Sequence, residues 1–333
     1  MRKYTNESLL KPVLESPVLS TESKRTVQGT CAMLTKAVFP GKTLFHVLRH
    51  PVDAGRRLRA DDANHGKRYS DHTVLTVLNA VLSVFKRSED LRKLLHKEHK
   101  EWQRLAAEAK EPVNDHYRNN VPTAKQAKQV EGVTWAKVLE ARDDLPVGSA
   151  ERLLLCSYTM ISPLRNDLSE CMLTHTGVPD DFTGNYLAVT PELDHGTLYV
   201  REYKTQKTYG TLEIDLPPEY LLELKASLTR RPRKYLFVNE KNGGALYSSP
   251  RTFATWANTT LARVLGVESF TLTLLRHLYI SSGADFDHLT VGEREKKARE
   301  MGHSIHMQLK YKWNLERNET ARAKQDVEPE LVL

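Results

Sequence analysis

The sequence predicts a mainly α-helical protein with a small antiparallel β-sheet, an α+β fold in two domains, the first helical and the second mixed. Three observations predict it. Apolar residues recur at helical spacing through the first part of the chain, a polar stretch containing Pro112 and Pro122 breaks the pattern at 111–135, and short β-branched and aromatic runs appear only between 186 and 216. A chain of 333 residues is also long for one ordinary core.

Taken in order, residues 1–25 are rich in Ser, Thr, Lys and Pro without sustained periodicity, and are expected to form a flexible arm. A helical domain follows over 26–130. Cys31, Met33, Leu34, Val38 and Phe39, then Leu44, Phe45, Val47 and Leu48, are split by Pro40-Gly41 into two helices joined by a turn. Ser70 or Asp71 caps a helix carrying Val74, Leu75, Val77, Leu78, Val81, Leu82 and Phe85 on one face. Ser88 with Asp90 opens another, with Leu91, Leu94, Leu95, Trp102 and Leu105. The polar stretch 111–135 reads as a linker.

The mixed domain is expected over 131–315, with a tail over 316–333. Gly148-Ser149 starts an apolar helix that reaches Met160 and is broken by Pro163 just before Arg165. Segments 186–189, 197–203 and 211–216 read as three antiparallel strands, separated by Asp194-His195-Gly196 and by the polar run 205–210. Helices resume after Pro217-Pro218 and after Ser249-Pro250.

Apolar residues make up 40% of the chain and charged residues 27%, the balance of a soluble globular protein. Nowhere do ~18 apolar residues run together, and the first residues lack the apolar block of a secretory signal. The expected location is therefore the cytoplasm or a host nucleus, with neither secretion nor membrane binding. A formal net charge of +7 suits a polyanionic partner. Cys31, Cys156 and Cys171 are scattered and read as buried free thiols, with no metal site implied. His96 and His99 lie one turn apart among lysines, which reads as a solvated basic face.

The chemistry concentrates in the stretch 270–313. It holds Arg276 on an apolar helix, then Met301-Gly302-His303-Ser304, then Tyr311 eight residues past His303. A guanidinium to clamp a phosphodiester, an imidazole to hydrogen-bond it and a hydroxyl nucleophile alongside form the set that DNA strand cleavage by a tyrosine requires. Arg165 stands at a helix break two residues before Asp167, an acid able to orient it. Lys204 lies at the tip of a predicted hairpin, where a lysine can swing onto a substrate and protonate a leaving oxygen. Arg56, Arg57, Arg59, Lys67, Arg68, Lys125, Lys128 and Lys207 are candidate DNA phosphate contacts.

In this order the pieces resemble the tyrosine recombinase (phage-type integrase) family, over about residues 135–315. Arg165 matches the family's first arginine, Lys204 its β-turn lysine, Arg276 the arginine of its HxxR motif, His303 its late histidine after glycine, and Tyr311 its nucleophile. Pro163-Leu164-Arg165-Asn166-Asp167 and Met301-Gly302-His303-Ser304 look especially like divergent integrases of large eukaryotic DNA viruses and mobile elements. Thr273 occupies the histidine position of HxxR, and the interval from His303 to Tyr311 is one residue shorter than usual. Lys207 replaces Lys204 if the hairpin turns differently, and His277 looks like a buried packing residue.

The resemblance implies a helical core-binding domain ahead of a mixed catalytic domain, acting on double-stranded DNA through a 3′-phosphotyrosine. It implies no cofactor, because bond energy is kept in the covalent intermediate. It also implies a tetramer on two DNA sites, with the C-terminal segment packed on a neighbouring subunit. A type IB topoisomerase or a telomere resolvase would use the same chemistry. A DNA-binding protein that has lost catalysis is the alternative from another class, motivated by Thr273.

Overall fold

The computed structural model describes residues 4–175, 177–178, 181–286 and 288–313, so the expected tail at 316–333 lies outside the described residues. The chain is mainly helical with one small sheet. It divides into two compact units, Met1–Arg118 and Asn119–Leu333, each with its own apolar core.

The first unit is helical. α1 (Asn6–Leu14) and α2 (Thr21–Met33) occupy the segment expected as a flexible arm, and this is a correction. The arm has too few apolar residues for a periodic signal, but Leu9 and Val13 are buried in the core and the Asn6 side chain accepts a 2.7 Å bond from the Leu44 backbone N–H. The ring of Tyr4 also stacks on Phe45 at 4.9 Å. Cys31 enters the core from α2, which continues into a π-helical turn over Leu34–Val38.

After α3 (Leu44–Leu48) and α4 (Pro51–Arg59) come α5 (Asp71–Lys86), α6 (Glu89–Leu94) and α7 (His96–Arg118). Ser70 caps α5 by accepting from the Thr73 N–H, one of its two expected caps. Trp102 on α7 is fully buried, and its indole N–H donates to the Leu48 carbonyl at 3.0 Å. The expected linker at 111–135 is instead helical as far as Arg118, with Pro112 inside α7. Proline removes one helical hydrogen bond, a local cost that the helix bears while Trp102, Leu105, Ala106 and Ala109 anchor its preceding turns in the core.

The second unit opens with α8 (Ala124–Gln129) and α9 (Trp135–Asp143). α8 belongs here rather than to the helical domain expected over 26–130: the Gln129 amide donates to Ser269 at 2.9 Å, and Val130 and Val133 pack against this unit's core. α10 (Ala150–Thr159) is capped by Ser149, as expected. Its Arg152 pairs with Glu223 of α12 (Pro218–Arg230) at 2.6 Å, both side chains largely out of solvent.

The sheet has four strands in sequential order: β1 (Met172–Thr174), β2 (Tyr186–Val189), β3 (Gly196–Val200) and β4 (Leu212–Asp215). β2, β3 and β4 are antiparallel, as expected, but β1 is parallel to β2, so the sheet is mixed. Three residues carry no period. β1 exists because the chain around it is pinned from elsewhere, with the Leu173 N–H donating to Lys234 and the Leu236 N–H to Cys171, each at 2.8 Å. β3 also ends at Val200 rather than at 203. The Asn185 side-chain oxygen accepts the Arg201 and Glu202 N–H groups at 2.7 and 2.8 Å, which takes them out of the ladder.

α11 (Gln206–Tyr209) lies in the β3–β4 connection. The chain ends in α13 (Pro250–Leu265), α14 (Leu272–Leu278), a π-helical turn over Tyr279–Gly283, α15 (Val291–Glu300) and α16 (Ile305–Tyr311). All three cysteines are free and buried, and burial pushes the Cys31 and Cys156 thiols up to about 12. Among the described residues no helix is long and apolar enough to cross a membrane.

Candidate active site

Three segments of the second unit converge on Arg276. Thr271 caps α14 by accepting the Leu274 N–H, and the next turn carries Arg276 into the interior, where it is 0% exposed. Its guanidinium is held at two corners, donating to the Pro163 carbonyl at 2.9 Å and to the Met301 carbonyl at 3.1 Å. The Nε–H has no partner among the described residues. Burial, with Arg165 nearby, lowers the Arg276 pKa to about 10, so the group stays charged at neutral pH.

The Pro163 segment is itself fixed. Ser162 donates to Glu300 at the end of α15 at 2.7 Å, and the Tyr158 hydroxyl donates to the Arg165 carbonyl. The Arg165 side chain is half-buried. Asp167 was expected to orient that guanidinium, yet its carboxylate accepts from the Arg165 backbone N–H at 3.1 Å. Burial raises the Asp167 carboxyl, opposed by that N–H and by the charges of Arg165 and Arg276.

His303 follows Gly302, which has a φ of +66° that glycine adopts without strain. The imidazole is 3% exposed, and neither ring nitrogen has a partner among the described residues. Burial, then the neighbouring Arg276 and Arg165, push it down to about 3, so it is neutral at physiological pH. Tyr311 ends α16. Its ring centroid lies 5.5 Å from that of His303 at 86°, with the Arg276 guanidinium 5.4 Å away over its face. His277 completes the surround, 4.6 Å from the Tyr311 ring.

Lys204 is exposed on the turn after β3, and Lys207 is exposed on α11. The turn is docked to the histidine loop by its neighbours rather than by Lys204 itself. Thr205 donates to the Gly302 carbonyl at 2.6 Å, and a Cβ on Gly302 would come within 2.9 Å of the Tyr203 ring. Gly302→Ala is accordingly expected to lower the stability of the second unit by about 1–3 kcal/mol, through a strained φ and overpacking, read as a lower denaturant midpoint. Thr273 is exposed on the first turn of α14, and its hydroxyl makes no hydrogen bond among the described residues.

The structure thus packs Arg276, His303 and Tyr311 together, brings the loop of Arg165 beneath them and leaves Thr273 outside the cluster. Sequence reasoning missed the Ser162–Glu300 bond, the Thr205 contact and the hydrogen bond of His277 described below. A hydroxyl beside Lys204 and a histidine beside Arg276 were the available signals. Gln308 of α16, whose buried amide nitrogen also lacks a partner among the described residues, had none.

Of the candidate DNA contacts, Lys67, Arg68, Lys125 and Lys128 are exposed, with Arg68 3.7 Å from Asp71 and Lys128 3.9 Å from Glu268. Arg56 and Arg57 both pair with Asp53, at 2.5 and 2.9 Å. Arg57 also donates to the Val38 carbonyl at 3.2 Å and lies over the Phe39 ring, so it has a structural task as well. Arg59 is half-buried.

No family model matches the chain, and no curated protein matches it. Among solved structures it is similar to the crystal structure of XerA recombinase, with a TM-score of 0.36 and 14% identity over 98% of this chain and 99% of that chain.

Proposed function

We propose that this protein is a site-specific DNA recombinase or integrase that cuts and rejoins strands through Tyr311. One observation carries the reading: among the described residues, the buried hydrogen-bonding atoms left without partners include Arg276 Nε and both nitrogens of His303, and both side chains pack against a single tyrosine ring. Buried polar groups are ordinarily satisfied, and an unpaired one costs about 1–3 kcal/mol. Such a cluster is suited to an incoming polar group, and a phosphodiester matches it in charge and in acceptor oxygens.

In this reading the Tyr311 oxygen attacks the scissile phosphorus, a 3′-phosphotyrosyl bond forms and the bond to the 5′ oxygen breaks. Arg276 and Arg165 neutralise the charge on the pentavalent phosphorus. A neutral His303 can accept the phenol proton at one nitrogen and donate to a phosphoryl oxygen from the other. Lys204 delivers a proton to the departing 5′ oxygen, and Lys207 is the alternative donor. Thr273 would supply at most a neutral hydrogen bond. Arg56, Arg57, Arg59, Lys67, Arg68, Lys125 and Lys128 would contact backbone phosphates of double-stranded DNA, so affinity should fall steeply with salt. The first unit would serve as the core-binding domain and the second as the catalytic domain, assembled as a tetramer on two DNA sites. A mobile or viral element is the source that the divergent motifs suggest.

The test is a nicked duplex carrying the element's own terminal sequence, incubated with the protein and resolved under denaturing conditions. A covalent protein–DNA adduct is expected from the wild type and none from Tyr311→Phe. Exchange of strands between two duplexes separates a recombinase from a topoisomerase or a telomere resolvase. Tight binding without an adduct would replace this reading with that of a DNA-binding protein lacking catalysis, and Thr273 supports that alternative.

A further inference from the structure

Among the buried histidines, His277 has a hydrogen bond that core packing does not require. Its Nδ1 lies 2.8 Å from the backbone carbonyl of Tyr311. A carbonyl only accepts, so Nδ1 carries the proton. The imidazole is stacked on Trp313 at 4.0 Å and 9°, and tilted against Tyr311 at 4.6 Å. Trp313 is buried in the core, and its backbone N–H donates to the Ser281 hydroxyl at 2.8 Å. The end of α16 is therefore gripped at two points of the chain that follows Arg276.

We infer that His277 is a positioning residue: its Nδ1–H fixes the Tyr311 main chain, and so the phenol, against the Arg276 of the same chain. The inference rests on the nucleophile reading above. α16 has only seven residues, and its buried Gln308 amide nitrogen has no partner among the described residues. A helix that short is marginal by itself, so a donor from a neighbouring element is a natural means of setting its last residue. The position beside Arg276 ties the attacking group to the phosphate clamp with no intervening flexible segment.

Three variants separate positioning from packing. His277→Phe keeps a flat ring for the stack but has no donor, His277→Asn restores an N–H near Nδ1, and Tyr311→Phe marks the chemical baseline. The expected result is adduct formation on the nicked duplex slowed about 100-fold in His277→Phe, the cost of misplacing a reacting group by about 1 Å. DNA affinity should be unchanged, and His277→Asn should recover most of the rate. Wild-type rates in His277→Phe overturn the inference while leaving the nucleophile reading standing. Equal losses in His277→Phe and His277→Asn also overturn it, because packing then explains both. Absence of adduct from the wild type defeats the nucleophile reading instead.

Should His277→Phe fail to melt cooperatively, ¹⁵N-histidine spectra of the wild type decide. A neutral ring protonated on Nδ1 supports the clamp, and no such ring among the histidines overturns it.

Discussion

Arg276→Lys is expected to lower the rate of adduct formation by at least ~10²-fold and the stability of the second unit by about 2–3 kcal/mol. The guanidinium serves two structural acceptors, Pro163 and Met301, and keeps an Nε–H that has no hydrogen-bond partner among the described residues. That division of labour needs a planar fork. A lysine offers one compact, strongly hydrated charge on a flexible stem, and cannot bridge two carbonyls while facing a third group. Its ammonium would also sit where the arginine is 0% exposed, at a desolvation cost the delocalised guanidinium bears more easily. Single-turnover cleavage and a denaturant titration of the same variant read the two effects separately. A variant that cuts at the wild-type rate would remove Arg276 from the chemistry.

Lowering the pH from 7.5 to 5 is expected to destabilise the second unit by about 4 kcal/mol through two histidines. Burial holds His277 down to about 4 and His303 to about 3, against an ordinary value of 6.5 for both. Both are therefore neutral in the native protein. Once the pH falls below 6.5, the unfolded chain takes up protons that the folded one refuses, and stability drops with pH until the folded values are reached. Between 6.5 and 5 each contributes about 2 kcal/mol, at roughly 1.4 kcal/mol per pH unit. The ordinary carboxylate range lies below that window. Denaturant midpoints across it should fall for the wild type and fall about half as far for His277→Phe. A flat profile would mean that these rings are not held neutral.

The fold was legible where periodicity was long. The run from Val74 to Phe85 specified α5 in full, because seven apolar positions on one face leave little freedom. β1 was not legible, since its three residues are strand only by virtue of Lys234 and Tyr186 beside them. The segment around α1 was misread for a related reason: Leu9 and Val13 are buried by partners distant in sequence, such as the Leu44 region.

In the site, residue type and spacing singled out Arg276, His303 and Tyr311, three side chains that the structure packs together. The same logic selected Thr273, which depended on a motif register and lies exposed. It also dismissed His277 as packing. That residue's hydrogen bond exists only because α16 returns to α14, and no local pattern records such a return.

The clamp around Arg276 is also a statement about folding order. Its bonds join residues far apart along the chain: Arg276 to Pro163 across 113 positions, Ser162 to Glu300 across 138 and Thr205 to Gly302 across 97. Closing such long loops costs entropy, and contacts of this range form late compared with local helices. A nascent or partly unfolded chain therefore holds its arginine, imidazole and phenol apart. The cluster of Arg276, His303 and Tyr311 therefore comes into being only with the completed second unit, and any activity that needs all three side chains is confined to the folded protein.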